Sequence, residues 1–234
     1  VGVPLGVRAY RQNAERVQVS TVESLTGTIV VEPAVGTAAV PLSKGNALEI
    51  AEGTVVRADE SSEAVITFFD FSNAHLARGT AVRVDRMRSP RYRSGVGPNT
   101  IHLTLLGGRA HIGTALALEF PLEFAVGTVH AEAALSADGS YILEVTNERT
   151  EVTANRGEAA VSAQGQVVRL ASRQRTLVTV GGTPQAPTAS ARDLLANGNF
   201  DAPLEEGWSV YNDQGTDGGQ VDGTAAVVID EGRR

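Results

Sequence analysis

The strongest constraint on the fold is the alternation of apolar and polar residues between residues 122 and 161. In LEFAVG and again in SYILEV, an apolar residue occupies every second position. A period of two is what a β-strand with one buried face requires. Between these runs, SADGS predicts a tight hairpin in which Gly139 takes the positive φ and Asp138 bonds its own backbone. The stretch therefore predicts hairpin-connected strands that cover a core.

The same pattern extends over most of the chain. Short alternating runs separated by Gly, Asn, Asp or Ser recur about every 8 to 12 residues from residue 17 to residue 180. TIHLTLL and RAHIG are interpreted as two strands that flank a turn at Gly107–Gly108, across which His102 and His111 could meet. No run in this region has a helical period. The region predicts an all-β domain, either a stacked short-strand sandwich or a solenoid-like domain.

Charge and composition divide the chain further. Residues 193–234 hold 9 acidic and 2 basic residues and carry the whole net charge of −7, whereas residues 1–192 are neutral. GGTPQAPTASAR, at 181–192, has the Gly, Pro, Ala, Ser and Thr content of a linker. We expect a tether at 1–16, a β domain at 17–180, a linker at 181–192 and an incomplete β module at 193–234.

The residues between 21 and 180 also resemble a known family. LTGTIVV, then AVPLSKGNALEIAEGTVVRADESS, and then the hairpin around FFDFSNAHL are similar to the FecR-like extracytoplasmic domain family. The resemblance implies an all-β domain that senses signals outside the inner membrane. Where the family has Asp-Gly-Ser, this chain has Asp70-Phe71-Ser72, so we expect a looser turn here.

The last segment resembles the opening of a jelly-roll carbohydrate-binding or galactose-binding-like module. In such modules N-G-x-F and a following G-W begin the sandwich, and here these motifs are Asn197 to Phe200 and Gly207-Trp208. The resemblance implies a glycan-binding surface at Trp208 and Tyr211. A buried Trp208 is the alternative, because burial of a Trp removes a large apolar area from water.

An arginine-rich run is the main candidate for partner binding. RMR-SP-RYR is nearly symmetric around Ser89-Pro90, which predicts a hairpin with arginines on one face and Met87 and Tyr92 on the other. Guanidinium groups bind carboxylates and phosphates bidentately, so an anionic partner is expected there. The alternative is a solvated edge whose charges prevent aggregation. The candidate residues are Arg83, Arg86, Arg88, Arg91, Tyr92 and Arg93.

No other pattern indicates chemistry. The four histidines lack metal-ligand spacing, no nucleophile motif frames a Ser or an Asp, and the chain has no Cys. We expect no metal, no cofactor and no enzymatic activity. A neutral β domain without an aromatic stacking platform also argues against nucleic acid.

The sequence therefore predicts an extracytoplasmic binding domain, as a sensor or adaptor that contacts a protein partner. The alternatives are a structural subunit of a surface assembly that binds copies of itself and a glycan-binding surface protein. VGVPLG opens the sequence without Met, so we expect an upstream signal peptide or anchor helix, through which alone the chain would contact a membrane.

Overall fold

The computed structural model describes residues 5–34 and 38–190, which belong to one compact unit that ends at Ser190. The elements have these bounds: α1 Leu5–Asn13, β1 Glu15–Val17, β2 Ser20–Thr26, β3 Thr28–Glu32, β4 Val40–Ser43, β5 Ala47–Ile50, β6 Val55–Arg57, β7 Glu63–Thr67, β8 Asn73–Leu76, β9 Ala81–Pro90, β10 Asn99–Gly113, β11 Leu122–Gly127, β12 Glu132–Leu135, β13 Ser140–Val145, β14 Arg149–Arg156, β15 Ala159–Ala163, β16 Gln166–Leu170, β17 Gln174–Thr179 and β18 Thr188–Ala189. The prediction of an all-β domain is confirmed. The described α1 is not long enough to cross a membrane.

The strands form two stacked sheets that share β10. Sheet A has the order β4-β3-β6-β9-β10-β11-β12-β15-β16, with β1 beside the end of β9. Sheet B has the order β5-β2-β7-β8-β10-β13-β14-β17-β18. Within the described residues β10–β11 is the parallel pair, and the other pairs are antiparallel. The inner faces of both sheets contribute to one hydrophobic core.

The long strand β10 is continuous where the sequence predicted a turn. Its first half pairs with β9 and β11 in sheet A, and from Gly108 onward it pairs with β8 and β13 in sheet B. Gly108 has φ +87°, and a Cβ there would lie 2.6 Å from the Gly79 carbonyl oxygen and from the Thr80 Cα. His102 and His111 therefore do not meet, because they lie on the outer faces of different sheets.

The hairpin predicted at SADGS does not form, because this segment connects β12 of sheet A to β13 of sheet B. Asp138, with φ 52°, takes the positive φ, and its carboxylate accepts from Arg156 Nη2 at 3.0 Å. Gly139 is required for space, because a Cβ would overlap the Tyr141 ring. The Tyr141 hydroxyl oxygen lies 3.1 Å from the Ser136 carbonyl oxygen and 3.0 Å from the Glu158 carbonyl oxygen, and its proton is shared between these two acceptors. Burial raises the pKa of this phenol.

The turn at Asp70-Phe71-Ser72 is tight, so the expectation of a looser turn was wrong. Phe71 takes φ 71° itself, and the Phe68 N–H bonds to the Ser72 carbonyl oxygen at 2.8 Å. Asp70 holds the turn, because its carboxylate accepts from the Ser72 N–H and from the Ser72 hydroxyl, both at 2.9 Å. A bulky residue with positive φ is strained, and Phe71 is also 84 % exposed.

Parts of the predicted tether and linker join the sheets. Glu15 and Arg16 lie in β1, opposite Pro90 and Ser89 of β9. Thr188 and Ala189 form β18 on β17. Residues 193–234, with the jelly-roll prediction and its Trp208 and Tyr211, lie outside the described residues.

The crossing of β10 predicts unequal costs for two adjacent glycines. Gly108→Ala should lower the free energy of unfolding by about 2–4 kcal/mol, because of the positive φ and the backbone clash. Gly107→Ala is the matched control, since nothing lies within 4 Å of its Cβ. Urea denaturation measures both, and equal losses would contradict the role of Gly108.

The strained turn predicts a stabilising substitution. Phe71→Gly should raise the free energy of unfolding by about 1 kcal/mol, because Gly adopts a positive φ without a steric penalty. Phe71→Ala keeps the Cβ and should leave stability nearly unchanged. Thermal unfolding of the two variants checks this, and equal stability of Phe71→Gly and Phe71→Ala would show that the turn stores no strain.

Candidate functional site

The arginine-rich run does not form a hairpin at Ser89-Pro90. β9 continues through both residues, which are buried, and the connection to β10 follows at residues 91–98. The predicted separation of Met87 from Arg86 and Arg88 is present, because Met87 is fully buried. The run is therefore divided between the face of a strand and the connection after it.

A β-bulge keeps three arginines on the outer face of β9. His102 lies opposite Arg86 and Leu103 lies opposite Val84, so Asp85 is an additional residue on the bulged strand. The alternation changes phase at this point, and Val84 and Met87 both face the core. Arg83, Arg86 and Arg88 consequently share the outer face.

These three arginines are paired with carboxylates. Arg83 Nε lies 2.5 Å from Asp85, and Arg86 Nη2 lies 2.7 Å from Glu15. Arg88 donates to both carboxylate oxygens of Glu52, at 3.0 and 3.1 Å. The Arg88 hydrogen bond lowers the pKa of Glu52, which also accepts the Met87 N–H at 2.8 Å. The Arg86 and Arg88 pairs attach β1 and the connection after β5 to β9, so these two arginines have a structural role, whereas the Arg83 pair lies within β9.

The other three predicted residues, Arg91, Tyr92 and Arg93, lie at an open cleft. The cleft has a volume of about 350 Å³ and lies between β1, the β9–β10 connection and the β10–β11 connection. Hereafter it is called the arginine cleft. Its lining residues are Arg16, Gln18, Phe69, Ser89, Pro90, Arg91, Tyr92, Arg93, Asn99, Glu119 and Phe120.

Positive charge at the arginine cleft is only partly neutralised. The Gln18 amide oxygen accepts from Arg16 Nε at 3.1 Å and from Nη2 at 3.0 Å, which positions the guanidinium without removing its charge. Arg93 lies 3.4 Å from Glu119, but both side chains are strongly exposed, at 95 % and 61 %. Within the described residues, Arg16 and Arg91 have no carboxylate partner.

An aromatic side chain lies among these charges. Arg11 of α1 lies 5.9 Å from the centroid of the Tyr92 ring, and Arg91 lies 6.0 Å from it. Both distances are within the range of a cation–π interaction. The helix is also attached here, because the Arg91 N–H bonds to the Ala14 carbonyl oxygen at 2.8 Å.

Three large apolar side chains, Phe71, Leu116 and Leu118, lie on the two connections that also supply Phe69, Glu119 and Phe120 to the cleft, and are called the apolar rim. They are 84 %, 61 % and 88 % exposed. The Ala115 N–H bonds to the Ser72 hydroxyl at 2.9 Å, which holds the two connections that carry the rim against each other. Large exposed apolar side chains on neighbouring connections are typical of a contact site.

Three of the four histidines have ordinary polar partners. His102 lies 2.8 Å from Glu123, His111 lies 2.9 Å from Ser140, and His130 Nδ1 lies 3.0 Å from the Thr150 hydroxyl. Over residues 5–34 and 38–190, no group of His, Asp and Glu side chains is arranged to hold a metal ion.

Comparisons with known proteins add a similarity of structure. No family model matches the chain, and no curated protein matches it. Two crystal structures of a "putative anti-sigma factor from Parabacteroides distasonis ATCC 8503" are similar, with TM-scores of 0.45 and 0.46 and identities of 19 % and 17 %. The matches cover 58 % of this chain and 59 % of the chains in those structures.

The Glu52 pair predicts a loss of stability in acid. Because its folded-state pKa is below the ordinary 4.5, charged Glu52 stabilises the fold above about pH 4.5, and this contribution is lost as the pH falls through the folded-state pKa. Glu52→Gln should lower the free energy of unfolding at pH 7 by about 1 kcal/mol, because the bond to Arg88 loses its ionic character. Glu119→Gln, at an exposed carboxylate, is the control and should change little.

Denaturation of the three proteins between pH 3 and pH 7 measures this effect. The difference between wild type and Glu52→Gln should narrow in acid. A difference that stays constant with pH would contradict a contribution from the ionised carboxylate.

Proposed function

We propose that this chain is a non-enzymatic, extracytoplasmic binding domain that docks an acidic segment of a protein partner at the arginine cleft. The observation that carries the proposal is the position of Arg16, Arg91 and Arg93 around aromatic side chains beside an exposed apolar rim. Such a surface offers both charge and apolar area to one partner.

The charge distribution favours a carboxylate-bearing partner. Arg11, Arg16, Arg91 and Arg93 lie at or beside the cleft, and Glu119 is the carboxylate that lines it. Guanidinium forks bind carboxylates bidentately, and complementary charges accelerate association. Nucleic acid is disfavoured, because residues 1–192 carry no net charge and Arg11 and Arg91 already lie against the Tyr92 ring.

The apolar rim favours a protein over a small anion. Phe71 extends from a strained turn into solvent, and the Leu116 and Leu118 side chains lie on the connection packed against that turn. A partner that covers these side chains removes apolar area from water, which contributes roughly 25 cal/mol per Å². A free carboxylate or phosphate is too small to reach both the rim and the guanidinium groups.

The family resemblance supports an adaptor or sensor as the biological role. FecR-like domains act outside the inner membrane, and the matching motifs cover residues 21–180. Protein contact then accounts for the exposed rim and for the charged cleft together. Polysaccharide binding through Trp208 and Tyr211 is a separate prediction on residues that the structure does not describe.

Binding to a defined probe tests this function. The probe is a fluorescent ten-residue peptide of alternating Glu and Phe, and its counterpart has Gln in place of every Glu. We expect the first to bind in a salt-dependent way and the second to bind weakly. Replacement of Arg16, Arg91 and Arg93 by Ser should weaken the first interaction about tenfold, as expected for three partly exposed ion pairs.

A charge-matched control distinguishes the cleft from the rest of the surface. Replacement of Arg57, Arg78 and Arg83 by Ser removes the same charge from exposed positions elsewhere. This variant should bind the peptide almost as wild type does, whereas Phe71→Ser should weaken binding at low and at high salt alike. Equal losses in the two arginine variants would refute the arginine cleft as the docking site.

A further inference from the structure

The two sheets differ in how well their end strands are protected. The end strands are β4 and β16 in sheet A and β5 and β18 in sheet B, and each pairs on one side among the described residues. β4 contains Pro41, β5 has four residues including Glu49, and β18 has two residues. β16 has five residues, no Pro, an exposed Val167 and one charged residue, Arg169, so it is the longest of the four end strands and the least protected edge.

The hairpin before β16 determines which backbone groups face that edge. β15 and β16 are joined by Gln164 and Gly165, with φ 50° and 74°, and Ala163 lies opposite Gln166. Positive φ at both central residues defines a two-residue type I′ turn. The pair that flanks such a turn is hydrogen-bonded, and hydrogen-bonded pairs then alternate along the ladder.

Two residues of β16 therefore direct their backbone groups away from β15. Counting from the hydrogen-bonded Gln166, the second and fourth residues of the strand are Val167 and Arg169, and their N–H and C=O groups face the free edge. Their side chains lie on the outer face, whereas Val168 is directed to the core side and is half-buried.

We propose that the free edge of β16 binds the same edge of a second copy, antiparallel, about a two-fold axis at Val168. In this register Val167 of each copy lies opposite Arg169 of the other, and each such pair forms two backbone hydrogen bonds. The two Val168 side chains adjoin and cover each other on the core side. The surface is separate from the arginine cleft, and the inference does not depend on the proposed function.

Self-complementarity identifies a second copy as the occupant. With the two-fold axis at Val168, both residues whose backbone groups face the edge, Val167 and Arg169, find partners within the strand. The two Arg169 side chains also stay apart. An axis at Arg169 would place two like charges opposite each other, which is destabilising. An axis at Val167 would leave Arg169 opposite the turn residue Gly165, outside the strand.

The register is tested by introducing a charge at position 167 of the full 234-residue chain. Sedimentation equilibrium measures the dimerisation constant of each variant. Val167→Glu places a carboxylate opposite each Arg169, so the dimer should become about tenfold tighter at low salt and respond to salt. Val167→Lys places like charges there and should weaken the dimer by a similar factor. Val167 is exposed, so both variants should keep the fold, which circular dichroism checks.

A backbone substitution provides an independent measurement. Val167→Pro removes an N–H that faces the free edge but not one that bonds to β15, so it should abolish the dimer while the monomer stays folded. Val167→Thr keeps the N–H and should dimerise as wild type does. A wild-type chain that stays monomeric up to about millimolar concentration would overturn the proposal. So would equal dimerisation constants for the Glu, Lys and Pro variants, because the dimer would then use another surface.

Discussion

The structure depends on the passage of β10 from one sheet to the other. At Gly108 the backbone lies so close to Gly79 and Thr80 that a side chain has no room there, and the contact is closed by hydrogen bonds. The Thr80 hydroxyl bonds to the Arg109 carbonyl oxygen and accepts the Arg109 N–H, both at 3.0 Å. The β8–β9 connection thus packs on β10 where that strand crosses. This contact fixes the two sheets relative to each other at that point. Since the chain changes sheet here both within β10 and in the β8–β9 connection, the other ends of β8, β9 and β10 lie at the opposite end of the sandwich. That is where the apolar rim and the arginine cleft lie.

The bulge at Asp85 separates the arginines by role. If β9 alternated through Asp85 without a bulge, Arg86 would point inward and Met87 outward, which would bury a guanidinium in the core. With it, Arg86 and Arg88 stay on the outer face and bind Glu15 and Glu52. The arginines after Pro90 leave the sheet and have no comparable carboxylates beside them. One short run of arginines therefore has two roles. The arginines on β9 attach β1 to the sheet, and those after Pro90 form a charged surface.

Local patterns predicted the elements but not their relations. The alternation of apolar residues identified most strands correctly, because one buried face imposes a period of two. It could not show that TIHLTLL and RAHIG form one strand, since a Gly pair is equally typical of a turn. The symmetric RMR-SP-RYR predicted a hairpin, yet the buried Pro90 ends a strand instead. Arg16, Phe69 and Phe120 of the cleft had no local signal, because they are distant in sequence and only the sheet order brings them together. Phe71 had a local signal, a bulky residue in the place of a turn Gly, but the looser turn expected from it was wrong, because Phe71 takes the positive φ itself.

The proposed edge contact and the arginine cleft lie far apart on sheet A. From β9 to β16 the sheet runs through β10, β11, β12 and β15, which at about 4.8 Å per step amounts to roughly 24 Å. A two-fold axis beside β16 therefore leaves both clefts open and holds them on opposite sides of the dimer. A partner with two acidic segments could then occupy both clefts, and the second contact would form at the high effective concentration that the first creates. Weak individual ion pairs would in this way support a stable complex, because avidity does not require any single exposed pair to be strong.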